Sequence, residues 1–165
     1  MKQKALGLIF VTITSGILIG APAQGASIVM PIASVTPGAV DTSITQANIG
    51  STICISGYTK TVRPPSSYTT NLKRQQLRGT YKRYHDTVTS HFEEDHLIAL
   101  AIGGSPTSVK NLWPEPYAGS TGARVKDKVE LKLHTLVCSG RVPLKTAQKA
   151  MAKNWYAAYL KYKNW

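Results

Sequence analysis

The chain has 165 residues and a formal net charge of +12, a length that supports one modest hydrophobic core and a single domain. Its 20 Lys and Arg against 8 Asp and Glu draw it toward polyanions, whether nucleic acid, anionic lipid or acidic glycan, without choosing among them. After residue 26 no stretch is long and apolar enough for a membrane helix, which excludes such a span from the body of the chain.

Residues 1–26 read as an export signal: Lys2 and Lys4 precede an apolar run from Ala5 to Ile19, followed by the small residues Ala21, Ala23 and Gly25. Its removal takes the charges of Lys2 and Lys4 from +12 and leaves +10, so the basic surplus belongs to the folded part. The expected address is periplasmic or secreted, with no membrane contact after cleavage. In such a compartment the two cysteines, Cys54 and Cys138, are expected to pair.

Residues 27–48 mix small, β-branched and turn residues without a sustained period and are expected to form a linker or loosely ordered arm, with the domain occupying 49–165. The alternation in TICISGYTKTVRPP predicts a short strand ended by Pro64 and Pro65. A helix is expected from Ser67 to about Arg78, capped by Ser67 or Thr69 and closed by Gly79. SHFEEDHLIALAIGG reads as an extended segment entering a turn at Gly103 and Gly104, and NLWPEP as its return. Val125, Val129, Leu133, Leu136 and Val137 recur at helical spacing, predicting a helix over 123–137. A last helix begins at Pro143. Trp113, Tyr117, Trp155 and Tyr159 are expected at the core or its edge.

The cluster Glu93, Glu94, Asp95 and His96 admits three readings: a polar loop with a surface histidine, a glycosidase-type carboxylate pair, or a hydrolytic metal centre. Adjacent residues on a strand point to opposite faces, which argues against a carboxylate pair flanking one bond. A metal centre needs a carboxylate on a hard cation and a nearby imidazole to take a proton from water.

GYTKTVRP, EEDHLIALAIGG, NLWPEPY and KDKVE in succession resemble the HNH endonucleases, in a secreted or phage-borne branch, over roughly residues 52–160. The resemblance implies an α+β fold, a small single domain with a ββα-metal core and flanking helices. It implies Asp95 as metal ligand, His96 as general base and Asn111 as the catalytic-site residue whose amide braces the loop. The family's third position, a histidine or asparagine near the helix start, falls where this chain has GARVK. Glu93, two residues before Asp95, is the candidate second ligand; Asp127 and Glu130 are further ones, and His134 reads as an ordinary helix residue. The implied cofactor is a divalent ion, magnesium first and manganese, zinc or nickel as alternatives. The implied partner is nucleic acid, DNA before RNA, held at its phosphates by Arg124, Lys126, Lys128, Lys73 and Arg74. A non-catalytic exported module binding nucleic acid or another polyanion on the same fold is the alternative.

Overall fold

The computed structural model describes residues 28–119 and 121–165; the expected export signal at 1–26 lies outside them. Two strands, β1 (Phe92–His96) and β2 (Leu112–Pro116), pair antiparallel in a register running from Phe92↔Pro116 to His96↔Leu112. A two-stranded sheet consists of edges, so Pro114 and Pro116, which cannot donate, are tolerated in β2. Around it stand α1 (Tyr58–Val62), α2 (Ser66–Arg78), α3 (Ala123–Cys138) and α4 (Leu144–Tyr162). The result is a small α+β domain, as the sequence led us to expect.

The helical periodicity of α3 is genuine core packing: Ala123, Val129, Leu133, Leu136 and Val137 are buried, and they meet Leu144, Ala147, Met151, Trp155, Ala158 and Tyr162 of α4. Trp113 and Trp155 are fully buried in this core. Pro143 is the residue before the first turn of α4. Asn154 interrupts α4 with φ −170° and ψ 98°, and its Oδ1 accepts from the Ala157 N–H at 2.8 Å, restarting the helix.

Three expectations are corrected. The stretch 52–65 is no strand: turns joined by bonds such as Ile55 N–H to Thr52 O at 2.9 Å lead into α1. Its alternation had no half-buried sheet face to serve, since Ile55 is exposed and Cys54 is tied to α3. The cap of α2 is Pro65, with no side-chain hydrogen bond, and Ser67 lies inside the helix. Residues 28–48 are not a linker over their described part. Thr36 is buried against the Tyr81 hydroxyl at 2.8 Å, Ile44 joins the core, and Val40 bridges to Gly104.

Cys54 and Cys138 are disulfide-bonded with Cα atoms 5.6 Å apart, tying the turn before α1 to the end of α3. The closure over 84 residues contributes roughly 4 kcal/mol by restricting the unfolded chain.

Between the strands the chain makes a 3-10 turn at Leu100–Ile102 and turns back through Gly103 (φ +75°) and Gly104. A Cβ on Gly104 would stand 1.7 Å from the Ile98 carbonyl oxygen and 2.9 Å from Asn111 Nδ2. Gly104→Ala is therefore expected to cost at least ~3 kcal/mol, in the range of severe backbone and packing changes, and urea unfolding of the purified variant measures it. Gly57→Ala, where a Cβ meets nothing within 4 Å, carries only the cost of its positive φ and serves as the comparison.

Candidate functional site

The β1 residues divide between two faces because strand side chains alternate. Phe92, Glu94 and His96 are buried, while Glu93 and Asp95 are half-buried. Glu115 of β2 pairs with Glu93, and so shares its face. Asp95 is reached from α3 by the ammonium of Lys126, which also binds Glu130 one helical turn on, donates to the His96 carbonyl at 2.8 Å and lies 3.8 Å from Glu115.

Lys126 is 0% exposed. Its expected role as a phosphate contact is thus corrected: a buried ammonium cannot meet a polyanion, and this one serves the carboxylates around it. Burial works against its charge, but Asp95, Glu130 and Glu115 outweigh burial and hold its pKa well above the usual lysine range. Burial likewise opposes the Asp95 carboxylate, and Lys126 overcomes it, leaving Asp95 below its ordinary value.

The other acids are less well compensated. Burial pushes Glu93 up, with the charges of Asp95 and Asp127 adding to it. Burial raises Asp127, again helped by Asp95, and raises Glu130 to about 7 against the pull of Lys126. Glu115 is driven well up by burial against the pull of Lys126, and the Asp95 carboxylate beside it, with which it shares a hydrogen bond, raises it further. More carboxylates converge here than Lys126 can neutralise; after it, Arg63 acts on Glu93, and Arg124 and then Arg63 on Asp127. An oxygen-rich, under-neutralised group of this kind has the chemistry of a hard-cation site. Lys126 takes Oδ2 of Asp95, and among the described residues Asp95, Glu93 and Asp127 do not bring one oxygen each within 4.8 Å of one another.

His96 is 3% exposed, and its Nε2 lies 2.9 Å from the Pro106 carbonyl. A carbonyl only accepts, so Nε2 carries the proton and Nδ1 keeps its lone pair. Burial lowers the His96 pKa, and the charges of Arg63 and Lys126 act in the same direction; the ring is a neutral base at neutral pH. Asn111 fixes the loop that supplies this carbonyl. Fully buried, it accepts from the Ile98 N–H at 2.9 Å and donates to Ile98 O and Ser105 O at 3.0 Å each. Asn111 thus acts on His96 through Pro106, next to Ser105.

Among the remaining expected nucleic-acid contacts, Arg124, Lys128 and Arg74 are exposed. Lys73 is half-buried, with its Nζ donating to Phe92 O at 2.7 Å. Sequence reasoning missed Arg63, Glu115 and the central place of Lys126. The spacing of Lys126 and Glu130 in KDKVE was a usable signal for the pair, since residues four apart on a helix are neighbours. Apart from this site, Cys54, His134 and Cys138 form a group that could hold a metal ion, their ligand atoms lying within 4.8 Å of one another.

Comparison with protein-family models, with curated proteins and with solved structures finds no match to this chain.

Two outcomes follow from this geometry. Asn111→Ala leaves the Ile98 N–H and two carbonyls without partners and is expected to lower stability by about 2 kcal/mol, the cost of stranding buried polar groups, read by denaturant unfolding. Glu94, whose two oxygens have no hydrogen-bond partner, is raised by burial from 4.5 to about 8. The folded state keeps a proton that the unfolded chain releases, so this contribution to stability is present below about pH 4.5 and is lost as pH rises through about 8. Thermal unfolding of Glu94→Gln should fall less steeply than wild type between those values.

Proposed function

We propose that the protein is an exported, metal-dependent endonuclease that hydrolyses phosphodiester bonds of nucleic acid, DNA first, through a ββα-metal site of the HNH kind. The observation that carries the reading is His96: a neutral imidazole whose Nε2–H is fixed on the Pro106 carbonyl, adjacent in the chain to Asp95 and to a surplus of carboxylates. The order β1, β2, α3 is that of the core implied by the resemblance.

In this reading Nδ1 of His96 takes the proton of a water attacking the phosphorus, and a ring held in one tautomer is ready to do so. The loop brace of Asn111 keeps that ring in place. A divalent cation bound by Asp95, with Glu93 as second ligand or with water and phosphate oxygens completing its shell, would neutralise charge developing on the phosphoryl and leaving oxygens. Arg63, Arg124 and Lys128, all exposed, hold the flanking phosphates and contribute salt-dependent affinity without base choice.

Two observations favour the second reading, a binding module without turnover: Lys126 already neutralises Asp95, and His96 is 3% exposed. A cleavage assay separates the two. With magnesium, manganese, zinc or nickel, the protein should cut plasmid, linear or single-stranded substrate. His96→Ala should lose about 100-fold or more of that activity, as expected for removal of a general base, with metal affinity retained. Asp95→Asn should weaken metal binding in calorimetry as well as turnover. Salt-sensitive binding with every substrate left intact overturns the nuclease and leaves the module.

A further inference from the structure

We propose that the corner formed by Cys54, His134 and Cys138 is a redox-gated metal site: closed by the disulfide when oxidised, and a Cys2His site for zinc or a similar borderline-soft cation when reduced. His134 and Cys138 lie four residues apart on α3 and face the same way. Cys54 is brought to them with its Cα 5.6 Å from that of Cys138. Zinc–thiolate bonds of about 2.3 Å set two sulfurs of a tetrahedral site roughly 3.8 Å apart, which side-chain rotation from such Cα positions can reach.

The imidazole supplies a separate observation. His134 Nε2 lies 2.9 Å from the Ile53 carbonyl; since that oxygen accepts, Nε2 is the protonated nitrogen and Nδ1 keeps its lone pair. A backbone carbonyl gripping one ring N–H of a histidine, with the other nitrogen left to bind, is the usual means of orienting a metal-binding ring. A cavity of about 510 Å³ elsewhere is lined by Arg74 and Arg78 and repels cations, whereas the opening of about 340 Å³ at Cys54 and His134 includes no charged residue in its lining. It leaves room for water as fourth ligand. Two thiolates and a divalent ion are together neutral, and the thiolates select zinc over magnesium or calcium.

The chemistry balances. A dithiol or phosphine reductant supplies two electrons and is itself oxidised; with two protons the S–S bond becomes two thiols, and each thiol releases its proton as the cation binds. The ion then clamps the turn at 53–55 to the end of α3 in place of the covalent bridge. This proposal stands independently of the nuclease reading.

The test titrates cobalt(II), then zinc, into the full chain with its disulfide intact and after phosphine reduction. The reduced protein should take up one equivalent of cobalt with sulfur-to-cobalt charge-transfer absorption, which carboxylate ligands do not give; the oxidised protein should show none. Zinc should displace the cobalt and raise the Tm of the reduced form. His134→Gln should weaken zinc binding at least tenfold, on the order seen when support of a metal site is lost, while leaving the oxidised Tm close to wild type. If reduction unfolds the chain, metal addition should restore the native circular dichroism. Absence of the thiolate band, zinc affinity unchanged in His134→Gln, or cobalt uptake by a chain that stays unfolded overturns the proposal.

Discussion

The site depends on one buried ammonium. Lys126 enters the interior with no exposed surface, an arrangement that is stable only because its donors meet Asp95, Glu130 and the His96 carbonyl. By taking hold of both the side chain at 95 and the backbone at 96, it fixes the first turns of α3 against the end of β1. The same contact decides the electrostatics of the neighbourhood. It keeps Asp95 ionised in a place where burial would otherwise protonate it, and it leaves Glu93, Asp127 and Glu115 competing for compensation that is not sufficient for all of them.

A second constraint acts in the loop between the strands. Asn111 closes the loop from 97 to 110 with hydrogen bonds to Ile98 and Ser105, and Gly104 lets the chain pass in contact with the Ile98 carbonyl. Pro106 is thereby held where its oxygen can select the tautomer of His96. The two constraints converge on adjacent residues: the lysine sets the charge of one, and the loop sets the proton position of the other.

The parts of this that were legible in the sequence are those governed by local pattern. The 3.6-residue spacing of Val129, Leu133 and Leu136 marked α3, the Gly103–Gly104 pair marked the turn, and the compartment argument paired Cys54 with Cys138. What could not be read was set by tertiary contact. Lys126 looks like any helix lysine until β1 supplies an aspartate opposite it. The nearness of His134 to Cys54 is likewise set by the fold, since Cys54 is 80 positions away in the chain. The alternation at 52–65 suggested a strand, but among the described residues no partner strand is present there to receive its hydrogen bonds, and the chain closes them locally in turns.

The packed segment at 28–48 bears on where this domain can be trimmed. Tyr81 is fully buried, and its hydroxyl is shared between the Ile32 N–H and Thr36 Oγ1, while Thr36 in turn touches the Leu112 carbonyl at the start of β2. A version cut to begin at residue 49 would strip the cover from that phenol and from the strand beside it. A unit that keeps this contact therefore starts upstream of Ile32, at least 17 residues before the border at Ile49 that the loss of periodic pattern suggests.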